Sequence, residues 1–490
     1  MKWFRFRWIF CQLETLRRCF PSSIRQILDE LPTTLDGTYE RTLLEIPEEK
    51  WKHAHRLLQC LAVSSRPLRV EELAEILSIQ FDTGTTHGLI RGWRPENRED
   101  AVWSACSSLI AIVKIEGSPV VQFSHFSVKE FLTSNRLATA QMGNLSRYHI
   151  ALEPAHEILL QACLSTLLEL DEHIDKKGLK DYPLSFYAAQ YWFEHARFGD
   201  VSFWFEEMMG RLFDPGKPYF SAWIWLWLYK GIGRQTQSLK YLAEHPSEPH
   251  ATPLYYSAAC GLRSVTERLL SLHLNDVNPQ EDHLSVPLWA AIENGHVDIA
   301  SLLLQHGANP NYVCDPDLGH WTLLHFASCH GFSKIIQLLF DHGADLNLRD
   351  DDQGSPLQLA SMGGHVGAIQ LLLEYGADVN HPESIFGWTP LIRAAQNGRV
   401  EVARFLLQHN ADVDGKDKGG STALHCASYK GSLEMVQALL EWGADVHARN
   451  SLDVTPFETA LRYGYRDIEQ LLLEYGARAE ENVPTIMSTS

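Results

Sequence analysis

One short pattern returns at a nearly fixed period between residues 251 and 479. With the third position of a Thr-Pro-Leu-like box as marker, it falls at Leu254, Leu288, Leu324, Leu357, Leu391, Leu424 and Phe457. The spacings are 34, 36, 33, 34, 33 and 33 residues. Seven residues after each marker stands a glycine: Gly261, Gly295, Gly331, Gly364, Gly398, Gly431 and Gly464. Nineteen after, a second mark appears at Gly307, Gly343, Gly376, Gly443 and Gly476; Asn410 holds that place in the fifth unit, and the first unit lacks it. A unit of this length is too small to bury its own apolar face, so each must stack on the next.

The fifth unit shows the mechanics. Thr389 can cap free N–H groups, and Pro390 fits a first helical turn because it has no N–H to leave unsatisfied. Leu391, Ala394 and Ala395 give a short helix with a small face that lets a neighbour come close. Gly398 then stops the helix in a left-handed conformation. VEVARFLLQH carries apolar residues at helical spacing, and the next stop is Asn410-Ala411, asparagine being the non-glycine residue suited to such a turn.

TPLIRAAQNG, STALHCASYKG, WTLLHFASCHG and LLLEYGADVN closely resemble the ankyrin repeat, over seven successive registers from residue 252 to 478. The resemblance implies an α-solenoid that grips protein partners on its concave face, built from turn tips, the residue before each box and the two residues before each first glycine. Carried over, the candidate partner-binding residues are Trp321, His330, Asp350, Asp351, Asp352, Phe386, Trp388, Gln396, Asn397, Tyr429, Lys430 and Tyr463. Trp321, Phe386, Trp388 and Tyr429 are the expected anchors. Two plainer readings stay open: tryptophans packed on neighbouring turns, and the three aspartates as a solvated turn.

The first half reads differently. Helical segments such as SIRQILDELP, LDGTYERTLLEI, WKHAHRLLQCLAV and VEELAEILS precede AVWSACSSL. Period-2 runs then flank a turn in LIAIVKIEGSPVVQF, and FSHFSVKEFLTS returns to helix. Helices closed by a β-hairpin make a winged helix. CQLETLRRC, LDELPTTLDGTYERTL, RPLRVEELAEIL and VVQFSHFSVKEFL together resemble the winged-helix domain of the GPI inositol-deacylase type, which follows the NACHT domain in fungal receptors of the NOD-like, STAND ATPase class. CLSTLL and YPLSFYAAQYWFEHA are similar to the helical segment that joins winged helix to repeats in those proteins.

The departure from that family is a missing GxxxxGK[ST] loop, so the backbone cradle and lysine for β- and γ-phosphates are absent and nucleotide binding is not expected. The resemblance makes His125 a nucleotide sensor; without a phosphate loop, a histidine serving local hydrogen bonds is the plainer expectation. His156-Glu157 has no second histidine at zinc-protease spacing, so neither a metal nor a cofactor is expected.

Charge narrows the partners. Residues 251–490 hold 14 Lys+Arg against 30 Asp+Glu, a balance of −16 within the whole-chain −19. Such a field repels phosphate backbones and anionic membranes, and the winged-helix candidates for a recognition helix are acidic or neutral, so nucleic acid is not an expected partner. Nine scattered cysteines without a CxxC pair suit a reducing, cytoplasmic setting. The apolar window YFSAWIWLWLY is about half the ~20 residues a span requires.

The expected fold is therefore mainly α: residues 1–50 as the helical tail end of a NACHT-like ATPase region, 51–135 as the winged helix, 136–250 as a helical linker, 251–479 as about seven ankyrin repeats, and 480–490 as a disordered tail. The expected function is a non-enzymatic protein–protein interaction module of a fungal immune-type or nonself-recognition receptor. The alternative is the regulatory C-terminal half of a STAND ATPase whose P-loop domain precedes Met1.

Overall fold

The computed structural model describes residues 34–79, 102, 109–115, 117–140, 144–170, 178–198, 203–231, 251–272, 274–279, 286–315, 320–346, 348–349 and 354–477. The helices expected before residue 34, AVWSACSSL apart from Val102 and Leu109, and the tail at 480–490 lie outside the described residues. The chain divides into two compact units, Met1–Pro253 and Leu254–Ser490.

In the first unit, α1 (Leu35–Leu44) starts where the Thr34 hydroxyl accepts the Gly37 N–H at 3.1 Å. Next come α2 (Trp51–Val63), β1 (Leu68–Arg69), α3 (Val70–Leu77), the hairpin strands β2 (Ile110–Ile115) and β3 (Ser118–Phe123), and α4 (Phe126–Leu132). The strands form one antiparallel sheet in the order β1-β3-β2, with Val121 paired to both Leu68 and Ile112. Two residues are too few to show a period-2 pattern, so β1 has no sequence signature. Its start is fixed by ion pairing instead: Arg66 grips Glu72 at 2.6 Å, while Glu72 accepts the Arg69 N–H at 2.8 Å.

Five further helices follow: α5 (Asn135–Ala138), α6 (Leu152–Leu167), α7 (Ser185–Ala196), α8 (Phe203–Leu212) and α9 (Pro218–Gly231). Trp192 of α7 and Trp223 of α9 meet edge to face, ring centroids 5.6 Å apart, with Phe213 and Phe220 against Trp223. The Trp223 indole donates to the Ala189 carbonyl at 3.2 Å. Phe220, Trp223, Ile224 and Leu226 of the aromatic window YFSAWIWLWLY are thus core. No helix among the described residues is long and apolar enough to cross a membrane.

The second unit is seven helix pairs. They are α10 (Pro253–Ala259) with α11 (Arg263–Leu272), α12 (Pro287–Glu293) with α13 (Val297–Gln305), α14 (Leu323–Cys329) with α15 (Ser333–Asp341), and α16 (Pro356–Gly363) with α17 (Val366–Glu374). Then come α18 (Pro390–Gln396) with α19 (Val400–Gln408), α20 (Ala423–Lys430) with α21 (Leu433–Glu441), and α22 (Pro456–Tyr463) with α23 (Arg466–Glu474). A short strand pair, β4 (Val313–Asp315) and β5 (Trp321–Thr322), lies ahead of α14.

Three kinds of polar contact couple neighbouring repeats. The residue after the first glycine reaches back to a helix end: His296 to the Ala259 carbonyl at 3.2 Å, His365 to Cys329 at 2.9 Å, Arg399 to Met362 at 3.0 Å. A ladder of Asn and Asp side chains clamps the next turn; the Asn380 amide donates to the Asn410 carbonyl at 3.2 Å and its oxygen accepts the Asp412 N–H at 2.7 Å. Asn278, Asn311 and Asp414 occupy equivalent rungs. Finally, His325 and His425 each accept a threonine N–H on Nδ1, from Thr322 and Thr422, and donate from Nε2 to the next repeat at Gly354 and Val454. His296, His325, His365 and His425 thus serve the structure of the stack. Gly331 is required twice over: its φ is +71°, and a Cβ there would lie 2.5 Å from the His365 ring.

Candidate binding groove

A cleft of about 760 Å³ opens on the last three repeats. From the turn tips it is lined by Ile385, Phe386, Trp388, Lys418 and Leu452. From the first-helix ends it is lined by Gln396 and Asn397 of α18 and its C-cap, Tyr429 and Lys430 of α20, and Arg462 and Tyr463 of α22. Helix-end residues line it because each first helix stops at a left-handed glycine, leaving its last side chains beside the next repeat's equivalents.

The tips are stitched to one another before any partner arrives. The Lys418 N–H donates to Phe386 O at 2.8 Å, the Ser451 N–H to Gly419 O at 2.8 Å, and the Lys418 ammonium to Ser384 O. Gly387 allows this approach: its φ is +74°, and a Cβ there would sit 2.9 Å from the Lys418 nitrogen.

Trp388 is held on several sides. Phe386 stacks on it with centroids 4.5 Å apart, the Arg393 guanidinium lies 4.3 Å from its ring, and Gln358 donates to its carbonyl at 2.9 Å. Arg393 also faces the buried Glu383, whose Oε1 accepts the Phe386 N–H at 2.7 Å. Beyond it, Tyr429 and Tyr463 meet edge to face at 4.9 Å. Phe386, Tyr429 and Tyr463 are each about half exposed and Leu452 is 77% exposed, so a large apolar area is bare in a folded unit.

Reactive groups are closed off. Burial pushes the Cys426 thiol up to about 11, so it stays protonated and weakly nucleophilic. Burial also lowers the pKa of His425, whose two ring nitrogens are both used in structural bonds. No cluster of three metal-ligating side chains occurs among the described residues. The arrangement suits recognition through shape, stacking and charge.

Seven of the sequence-named residues come together in this cleft: Phe386, Trp388, Gln396, Asn397, Tyr429, Lys430 and Tyr463. Trp321 sits in β5, register-paired with Asp315, and His330 caps α14 with its ring 4.2 Å from Phe326; neither is among the cleft-lining residues. Asp350, Asp351 and Asp352 lie outside the described residues. Arg393, Lys418 and Leu452 were not singled out by the repeat pattern, although 10 of the 14 Lys and Arg after residue 250 follow Phe386. In the first unit, His125 caps α4: Nδ1 accepts the Ser127 N–H at 3.3 Å and lies 2.6 Å from Ser127 Oγ, which bonds the Tyr39 hydroxyl at 2.9 Å.

Comparison with known proteins follows the same division. Residues 39–142 match the winged helix domain of GPI inositol-deacylase. A protein of Monascus ruber, azaphilone pigments biosynthesis cluster protein L, is 32% identical over 298 residues, 58% of this chain and 61% of that protein. Ankyrin repeat protein nuc-2 of Neurospora crassa is 31% identical over 154 residues, 31% of this chain and 14% of its own length. The chain thus spans less than two thirds of either relative. The ankyrin repeat domain of Bcl-3 aligns with 46% of this chain and all of its own at 29% identity, TM-score 0.41. The ankyrin-repeat model matches residues 230–314, 311–383, 380–450 and 417–483, together more than half of the sequence. The chain belongs to the ankyrin-repeat family.

Proposed function

We propose that this chain is a non-catalytic recognition module that holds a protein partner in the concave cleft of its last three repeats. It acts, in this reading, in the cytoplasm as part of a fungal immune-type or nonself-recognition receptor of the NACHT class. The observation that carries the binding site is the concentration of half-bare aromatic side chains, Phe386, Tyr429 and Tyr463, beside amides and cations on prefixed turn tips. Rigid aromatics bury much area at little cost in conformational entropy, which is why they anchor interfaces. The receptor setting is supported by the winged-helix match at residues 39–142 together with similarity to a fungal protein.

A photo-crosslinking residue placed at Tyr463, and as a control at the exposed Gln437 of α21, tests the binding face. The expected result is a partner adduct from position 463 alone, lost when Tyr429→Ala and Phe386→Ala are added. Equal adducts from both positions, or an adduct that survives those substitutions, would sink the assignment.

A further inference from the structure

We infer that the cleft takes an extended acidic peptide segment bearing an aromatic or large aliphatic side chain, presented by a protein partner. This rests on the cleft's being a protein-binding face and adds the chemistry of what it binds.

The charge distribution points there. The repeat half carries 14 cationic and 30 acidic residues, yet four of its cations, Arg393, Lys418, Lys430 and Arg462, line this single cleft. One carboxylate lines it beside them, that of Asp417, and its Oδ1 already accepts the Ser421 N–H at 2.7 Å. Lys430 and Arg462 are exposed and enter no ion pair among the described residues. A cationic spot on an acidic body attracts a short anionic segment and rejects basic ones.

The apolar groups share the same positions. Tyr429 is followed by Lys430, and one repeat later Arg462 is followed by Tyr463, so two successive helix ends each offer a ring and a cation side by side. A peptide mixing carboxylates with an aromatic or aliphatic side chain meets both at once, with exposed Leu452 across from them on the turn tips. A nucleic acid fits less well. It would extend past the cleft over a surface whose balance is −16, while the local cations act only within about 8–10 Å at physiological salt.

The test is selection of a phage-displayed library of random peptides, about a dozen residues long, on the immobilised full chain, then fluorescence anisotropy with a recovered sequence. The expected winners carry net negative charge and an aromatic or aliphatic anchor. Their affinity falls at least about tenfold in Lys430→Glu/Arg462→Glu, falls less in Lys430→Gln/Arg462→Gln, and weakens as salt rises from about 0.05 to about 0.3 M. Circular dichroism and melting of both exposed-site variants stay as in the parent. Neutral or basic winners whose binding is lost in Tyr429→Ala/Tyr463→Ala overturn the acidic class but keep the cleft as a binding face. Winners indifferent to every cleft substitution overturn both, and so does a selection that yields no winner. A single-stranded oligonucleotide that binds as tightly as any peptide, and is lost in the charge-reversed variant, overturns the peptide assignment.

Discussion

In the winged-helix unit Trp192, Phe213, Phe220 and Trp223 close an aromatic core. Distant parts of the chain are tied together there: Glu75 accepts the Leu184 N–H at 2.5 Å, the Tyr187 hydroxyl accepts the Ser65 N–H at 3.1 Å, and Tyr39 bonds Ser127 at 2.9 Å. In the repeats the equivalent positions are small and local. Three residues past each marker stand Ser257, Ala291, Ala327, Ala360, Ala394, Ala427 and Ala460, every one with no exposed surface. The first unit gains stability from many non-local contacts at once. The second gains it in equal steps, each repeat leaning on two neighbours through packing and a few recurrent hydrogen bonds. A body of the second kind can leave one face bare without losing its fold, and Phe386, Tyr429 and Tyr463 stand bare together on such a face.

The sharpest way to break this comparison is to damage each unit once. Trp192→Ala should cost about 3–5 kcal/mol, and Leu372→Ala, the fully buried leucine of the LLLEYGADVN run, about 2–5 kcal/mol. The two losses should differ in reach when followed by segment-resolved amide exchange. Trp192→Ala should speed exchange through α6, α7 and α9 together. Leu372→Ala should speed it most in α16 to α19 and progressively less toward α12 and α22. Uniform acceleration across the whole repeat unit would mean that the repeats behave as one globule.

Acid sharpens the contrast further. Burial holds His325 down to about 4, against about 6.5 in an unfolded chain. Below 6.5 the unfolded state binds a proton that the folded state refuses until about 4. Stability should therefore fall as pH drops through that window and stay level above it, by on the order of 3 kcal/mol at the bottom. The geometry gives the reason: Nδ1 accepts the Thr322 N–H at 3.3 Å, and a proton there removes the acceptor. His325→Gln copies the fourth repeat, where Gln358 accepts the Ser355 N–H at 2.8 Å, and should flatten the slope by about one proton in urea titrations of the repeats. In the first unit burial beside His156 likewise lowers His195, which bonds the Tyr187 hydroxyl at 3.0 Å, so this unit should also weaken in acid and be unaffected by His325→Gln. A slope in the repeats that survives His325→Gln and His425→Gln would place the acid sensitivity elsewhere.

The repeats were legible because their signals are local: a cap, a small face and a glycine recur at fixed offsets, and the helix pairs fall where those offsets put them. The hairpin Ile110–Ile115 with Ser118–Phe123 was legible for the same reason, through its period of two. Two-residue β1 was not, because pairing with Val120 and Val121 defines it and no pattern does. Within the site, Tyr429 and Lys430 follow from position in the repeat. That Trp388 is clasped by Phe386 and Arg393 while Trp321 joins a small strand pair depends on turns whose paths differ between repeats. Repeat position names a face; only the fold says where on it aromatics and cations coincide.

The smallest test concerns two asparagines, one in each unit. Asn410 has φ +66° where five other repeats place glycine, and Asn144 has φ +55° ahead of the turn Leu145–Tyr148. Each pays the same backbone strain, so alanine at either should cost about 1 kcal/mol and glycine should change stability by less than about 0.5 kcal/mol. The difference lies in what each carbonyl does next. That of Asn410 accepts the Asn380 side chain of the preceding repeat, whereas that of Asn144 closes its own turn on Arg147. Asn410→Ala should therefore raise amide exchange on both sides of the fifth repeat, and adding Asn380→Ala should cost less than the sum of the two single changes. Fully additive losses would mean that this rung carries no coupling, leaving the stacked apolar faces and the inter-repeat histidine and arginine bonds to link neighbours.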